Sequence, residues 1–517
     1  MNAGGIFSTM RPTQFVRPGI ALAFLFAILF STSAMALSVP GGLLLLAGAV
    51  IGGYMAMNIG ANDVANNVGP AVGSHALTMG WAVVIAGVFE AAGALIAGGD
   101  VVGTIKQGII DPALITDAES FVWLMMAALL AGALWLNIAT ALGSPVSTTH
   151  SIVGGVLGAG LAAGGSGIAN WGQISAIVAS WVISPLMGGG IAAAFLYLIK
   201  RSITYRNAVM PAALKMVPVL LAVMSWSFGT YLVLKGLKRL WAVDFLTAAL
   251  IGAVLAVLTF GFTRPLIARA ARTLPGSKEG VNALFNVPLI FAAALLSFAH
   301  GANDVANAVG PLAAINDAIM SGGVASKAAI PLWIMAIGAV GIAIGLALYG
   351  PKLIRTVGSE ITELDQMRAF CIALAAAITV IIASQLGLPV SSTHIAVGGV
   401  FGVGFLREYL KANYSRMIDE IESHHQGEDR AVVESILETF ESADIAGKGR
   451  MLKQLRKDAS GLPLTKRERK GLKKVYKRDL VKRSTLMKIL SAWVVTVPAS
   501  AGMAALIYFM LRGLLLH

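Results

Sequence analysis

Apolar stretches about as long as a bilayer is thick recur along the whole chain, separated by short polar breaks. The runs fall at 19–38, 41–58, 76–98, 121–142, 145–163, 171–199, 212–234, 242–262, 283–300, 304–320, 328–350, 367–386, 389–406 and 488–511. A membrane helix needs about 17–25 such residues, whereas barrel strands are shorter and alternate. The pattern therefore predicts an all-α, polytopic transmembrane bundle. Several of the runs are short enough to be half-spans, re-entrant or broken, which leaves roughly 10–12 full crossings.

Polar residues interrupt this pattern twice in the same way. Gly60-Ala61-Asn62-Asp63-Val64-Ala65-Asn66 returns as Gly301-Ala302-Asn303-Asp304-Val305-Ala306-Asn307, each followed by Val-Gly-Pro. A second element, Gly143-Ser144-Pro145-Val146-Ser147-Thr148-Thr149-His150, returns as Gly387-Leu388-Pro389-Val390-Ser391-Ser392-Thr393-His394. Asn62 precedes Ser147 by 85 residues and Asn303 precedes Ser391 by 88, so order and spacing are both kept. This is an internal duplication. A weaker correspondence pairs Trp181 and Pro185 with Trp493 and Pro498, making the last run the closing helix of the second repeat. The resulting division is 1–38, an N-terminal helix or leader; 39–206, repeat one; 207–280, connecting helices and a cytoplasmic loop; 281–406, repeat two; 407–487, a charged cytoplasmic insertion; and 488–517, the closing helix.

Composition agrees with a membrane chain. Of 517 residues 57% are apolar and 13% charged, and the mean hydropathy is +0.78. The net charge of +13 does not indicate nucleic-acid binding, because 407–483 alone holds 19 of the 39 basic and 13 of the 26 acidic side chains. That segment is acidic up to Asp444 and basic from Lys448, a pattern of paired helices, of a basic arm on anionic lipid, or of a solvated loop that fixes topology. The lone Cys371 excludes an intrachain disulfide and a multi-cysteine metal site. Arg11 and Arg17 before an apolar run, then Ser33-Ala34-Met35-Ala36, fit a cleaved leader or a first transmembrane helix; the helix is the favoured reading.

Loop charges orient the chain. Lys200, Arg201 and Arg206, then Arg264, Arg269, Arg272 and Lys278, then the basic insertion go to the cytoplasmic side. The acidic loop Gly99–Ser120 goes outside. The two repeats then enter the membrane from opposite sides, an inverted pair, although Lys235, Lys238 and Arg239 fit this scheme badly.

Helical spacing places Asn62, Asp63 and Asn66 on one face, and Asn303, Asp304 and Asn307 on another. Amide and carboxylate oxygens suit a hard cation such as sodium. Gly60, Gly69 and Pro70 are expected to break the helix and free carbonyls as further ligands. The Ser/Thr element reads as a helix start, with glycine at the turn and proline at the first helical position. Its free N–H groups, with the hydroxyls of Ser147, Thr148, Thr149, Ser391, Ser392 and Thr393, make a neutral cradle for a tetrahedral oxyanion. Glu90 has no acidic counterpart, since matching Trp81 to Trp333 sets Ile342 opposite it. Glu90, His150 and His394 are candidates for coupling, the alternative being packing and interhelical hydrogen bonds. A Ser147–His150–Asp63 hydrolase is disfavoured, because it leaves the second copy unexplained.

These motifs, each present twice, resemble the inorganic phosphate transporter (PiT) family of secondary transporters over nearly all of 41–406 and 488–511. The resemblance implies an inverted-repeat helical fold, no enzymatic activity and no organic cofactor. It implies alternating-access symport of inorganic phosphate with a cation, sodium being favoured over a proton. It also implies a homodimer in the cell (inner) membrane. By matching motifs, Asp63, Asn66, Asp304 and Asn307 hold the cation and the six Ser/Thr residues the phosphate. A sulfate permease of the same fold, a metal–phosphate or proton symporter, and an anion channel are the competing readings.

Overall fold

The bilayer core offers no hydrogen-bond partner to a bare peptide group, so apolar segments there close their backbone bonds internally as helices. The computed structural model describes residues 13–115, 117–236, 243–321, 330–360, 364–423, 439 and 483–515. Its main helices are α1 (Thr13–Ala36), α2 (Gly42–Gly73), α3 (Met79–Ala97), α4 (Ala118–Leu142), α5 (Thr148–Gly164), α6 (Trp171–Ile199) and α7 (Val209–Tyr231). They continue as α8 (Phe245–Ala271), α9 (Asn286–Asp304), α10 (Ala306–Ser321), α11 (Leu332–Glu360), α12 (Gln366–Gln385), α13 (Ser392–Ser423) and α14 (Arg483–Leu515). Among the described residues eleven segments are long and apolar enough to cross a membrane. The only non-helical pairing among them is one isolated bridge, Ile110 to Ala169. The chain is an all-α polytopic bundle within the expected range of crossings.

Two compact units divide the chain: 1–402 with 482–517, and 403–481. Beyond Ser423 the second unit, which holds most of the charged insertion, lies outside the described residues apart from Thr439, as do Arg11, Lys238 and Arg239.

Short polar caps start several helices. Thr78, Asp117, Asp244 and Asp365 each accept a backbone N–H of the first turn, at Trp81, Ser120, Thr247 and Arg368 respectively. α8 packs on α7, tied by Thr259 to Ser225 at 2.8 Å and by Trp226 Nε1 to the Ala249 carbonyl at 3.1 Å. Its other face, with Leu250, Val254, Val257 and Phe262, is exposed, as expected of a lipid-facing helix.

Close helix contacts come in matched pairs. α2 lies along α11, and α9 along α3. A Cβ on Gly60 would strike the backbone of Ile342, and one on Gly301 the backbone of Glu90, positions that the sequence alignment sets opposite one another. Likewise Gly158 meets Ala501 of α14, and Gly402 meets Gly189 of α6. Each repeat therefore completes its packing on helices of the other.

One expectation is corrected. The run 41–58 does not end before the polar motif: α2 continues through it to Gly73 with Pro70 inside. Gly60, Gly69 and Pro70 do not break this helix. In the second copy the break falls at Val305, between Asp304 and Asn307.

Candidate functional site

α2 and the α9–α10 junction carry the two Asn-Asp motifs into the centre of the bundle. Asn62, Asp63, Asn66, Asn303, Asp304 and Asn307 are each at most 1% exposed, so any ion held there is shed of bulk water. Proline supplies no N–H to the carbonyl four residues back. Pro70 and Pro311 thus withhold the helical bond from the carbonyls of Asn66 and Asn307 while the helix continues.

Facing them are the starts of α5 and α13. α4 and α12 end at glycines with left-handed backbone, Gly143 at φ 73° and Gly387 at φ 67°. This conformation is strained for any residue with a Cβ. The chain then reverses into an extended stretch that holds Pro145 or Pro389. Ser147 and Ser391, not the prolines, cap the new helices: their hydroxyls accept the backbone N–H of His150 (3.1 Å) and His394 (3.2 Å). The prolines lie two residues before the caps, a correction to the expected first helical position.

The four elements interlock with approximate two-fold regularity. Thr148 Oγ1 donates to Asp63 Oδ2 (2.9 Å), and Ser392 Oγ donates to Asp304 Oδ2 (3.0 Å). Asn66 Nδ2 donates to Thr393 Oγ1 (2.8 Å), and Asn307 Nδ2 to Thr149 Oγ1 (3.2 Å) and Thr148 Oγ1 (3.1 Å). Thr149 donates to the Val390 carbonyl (2.9 Å); Thr393 lies 3.3 Å from the Val146 carbonyl and 3.1 Å from Asp63 Oδ1. Asp63 therefore accepts hydroxyls from both repeats.

Asn62 and Asn303 have a different task from their neighbours. Asn62 donates to Thr140 Oγ1 (2.9 Å) and the Ser144 carbonyl (3.3 Å) and accepts the Val146 N–H (3.0 Å). Asn303 donates to Ser384 Oγ (3.0 Å) and the Leu388 carbonyl (3.4 Å). Both pin the turn that precedes a Ser/Thr helix. The side-chain oxygens of Asn66 and Asn307, with Asp304 Oδ1, are buried acceptors with no hydrogen-bond partner. Buried acceptors of this kind can take up a hard cation.

A histidine that the motifs did not reveal stands among the carboxylates. His300 Nε2 is 2.8 Å from Asp304 Oδ2 and 3.6 Å from Asp63 Oδ2, and its Nδ1 is 3.4 Å from Glu90 Oε2. Glu90 is fully buried, and its Oε1 accepts from Asn67 Nδ2 (2.7 Å). One signal in the sequence points to His300: it directly precedes the second motif, where the first copy has Ile59. Among the described residues Asp63, His300 and Asp304 form a buried group with metal-ligating atoms within 4.8 Å of one another.

The histidines of the two Ser/Thr elements lie elsewhere. The His150 ring sits 3.8 Å from Trp181, the His394 ring 3.6 Å from Trp493, and the two imidazoles meet edge to face at 4.4 Å. Of the three coupling candidates, the structure brings only Glu90 to the aspartates' own cluster. The hydrolase trio is not assembled, since Ser147 caps a helix and Asp63 engages Thr148 and Thr393.

A bundle of membrane-length helices whose duplicated motifs meet at one buried polar site has the build of a membrane transport protein. Residues 59–504 match the phosphate transporter family, and the chain belongs to that family. It is 57% identical over 501 residues to a candidate phosphate permease of Helicobacter pylori strain J99, covering 95% of this chain and 94% of that one. A similar protein of Pyrococcus abyssi is 40% identical over 374 residues, 72% of this chain and 91% of its own. Among solved structures, a sodium-dependent phosphate transporter superposes with a TM-score of 0.73 at 31% identity, covering 92% of this chain and all of that one.

Proposed function

We propose that the chain imports inorganic phosphate by symport with a cation, sodium in preference to a proton, through alternating access. The observation that carries this reading is the hydroxyl–carboxylate interlock. Thr148, Ser392 and Thr393 offer their protons to Asp63 and Asp304. Cations bound at Asp63, Asn66, Asp304 and Asn307 would satisfy those carboxylates and turn the hydroxyls toward an anion. Ser147, Thr148, Thr149, Ser391, Ser392 and Thr393, with the N-terminal N–H groups of α5 and α13, would then hold the phosphate. Each ligand thus raises the affinity of the other, which is coupling in the thermodynamic sense. Cations also offset the anion's charge against an inside-negative potential, worth about 2.3 kcal/mol per charge per 100 mV.

The solved relative's sodium dependence supports sodium over protons. The matched contacts Gly60–Ile342 and Gly301–Glu90 support an inverted pair of repeats, 39–206 and 281–406 with 488–517, rocking about the site. On this reading the protein is a homodimer in the cell membrane, with the insertion 407–487 in the cytoplasm.

The test is uptake of labelled phosphate into liposomes under separate sodium and proton gradients, with unlabelled sulfate as competitor. Sodium-driven uptake that sulfate does not suppress is expected. Uptake driven by neither gradient refutes the reading, and gradient-independent flux would make the protein a channel. Asp63→Asn and Asp304→Asn should each abolish sodium-driven accumulation.

A further inference from the structure

Each Ser/Thr helix follows a glycine turn, and a side chain of the other repeat holds each turn. At Gly387 the holder is neutral: Thr104 Oγ1 donates to the Gly387 carbonyl (2.8 Å). At Gly143 it is charged: Lys352 Nζ donates to the Ala141 carbonyl (2.6 Å), and a Cβ on Gly143 would stand 3.8 Å from that nitrogen. The cradle is built from hydroxyls and N–H groups, so this exposed ammonium brings a full positive charge to its threshold. Three residues on, Arg355 shares a face of α11 with it. With His75 and Thr78, Arg355 lines a cleft of about 530 Å³ beside the turn from α2 to α3. Loop charges place Gly99–Ser120 outside, which puts that turn, at the other end of α3, on the cytoplasmic side.

The opposite mouth has the opposite sign in sequence. Matching Trp81 to Trp333 sets Asp100 and Gly103 against Lys352 and Arg355. Matching the Asn-Asp motifs sets Asn316 and Asp317 against His75 and Ala76. The positive-inside bias asks only for charge in the cytoplasmic loops; Lys352 is instead drawn in against the cradle's own turn.

We propose that Lys352, Arg355 and His75 form a second anion site, on the cytoplasmic side of the cradle, that receives phosphate on its release. The proposal rests on the phosphate-transport reading. The ammonium exchanges the Ala141 carbonyl for a phosphate oxygen, which frees the α4–α5 turn as the anion passes. Arg355 offers a planar fork that matches phosphate geometry, and His75 a further donor. Water and salt screen all three exposed groups, so this site is weaker than the buried cradle and passes the anion on. A lipid phosphate has the same chemistry as the free ion, and the experiment separates the two.

The experiment measures phosphate exchange by the full-length protein in right-side-out and inside-out membrane vesicles. Lys352→Met should raise half-saturating phosphate about tenfold on the cytoplasmic face, the loss of one charge-assisted hydrogen bond, and much less on the outer face. Arg355→Met should shift the same face, and Lys352→Arg should recover most of the loss. Equal shifts on both faces, no shift, or a Lys352→Arg variant as poor as Lys352→Met would each overturn the proposal. A readout on unaltered protein covers a variant that does not fold. In phosphatidylcholine vesicles without sodium, a membrane-impermeant acetylating reagent should modify Lys352 more slowly when phosphate is added to the bath. Unchanged modification would refute the site, and protection that follows added phosphatidylglycerol instead of phosphate would make it a lipid site. Sodium-driven uptake by wild type alongside either failure would leave the symport reading standing.

Discussion

At the residue scale, what matters is how each buried polar atom is satisfied. Asp63 takes one hydroxyl from each repeat, so the carboxylate senses both Ser/Thr helices. Hydrogen bonds to charged groups contribute about 1.5–3 kcal/mol. Thr148→Val, nearly isosteric but without the hydroxyl, should therefore raise the KM for phosphate about tenfold or more, and Thr148→Ser should recover most of it. Initial uptake rates across a phosphate series would show this; an unchanged KM in Thr148→Val would remove the hydroxyl from the site. Asn62 should behave differently. Asn62→Ala strips partners from Val146 N–H and the Ser144 carbonyl, which costs about 1–3 kcal/mol for an unsatisfied buried group. It should lower the thermal transition of the detergent-purified protein.

At the element scale, the Asn-Asp motif was legible as costly polar residues on a helix face, but the course of its helix was not. Gly60, Gly69 and Pro70 read as breakers because in water they are. In α2 neighbouring helices hold the backbone, and proline costs only the bond to Asn66. Gly60 serves close approach instead. α11 crosses so near that a Cβ would overlap the Ile342 backbone, which cannot turn aside as a side chain can. Gly60→Ala and Gly301→Ala should each force their helix pair apart, at about 1–3 kcal/mol. A fall in the temperature of half-aggregation, larger for both together, is the expected result; a wild-type value for either would show the contact to be slack. The Ser/Thr helix starts were legible too, as was the glycine turn before them. The cap position was not, because Pro145 and Ser147 are both sound helix-start residues and only the backbone chooses between them.

At the scale of the whole molecule, apolar runs made the bundle legible, and the two repeated motifs made its centre legible. His300 escaped because pattern reading weighs what recurs, and this residue occurs once. Only Asp304, four residues on, is a local partner; Asp63 and Glu90 lie in the other repeat, where no spacing along the chain points to them. The crossed packing has its own test. Fragments 1–275 and 276–517, expressed separately, should fail to accumulate, because α2 lacks α11 and α9 lacks α3. Expressed together they should co-purify and restore phosphate uptake; stable accumulation of either fragment alone would contradict this account.

The crossing of α2 onto α11 also sets a schedule for biosynthesis. α2 ends at Gly73 and its seat does not begin until Leu332. At about 5–20 residues per second, the ribosome delivers that seat roughly 15–50 s later. For this interval Asp63, worth about 2.5–3.5 kcal/mol against insertion when charged at mid-bilayer, has Thr148 of its own half but rides in a helix without α11, and Thr393 comes later still. Codon-level pauses between residues 73 and 332 would lengthen that exposure and lower the yield of folded carrier, without altering a single side chain.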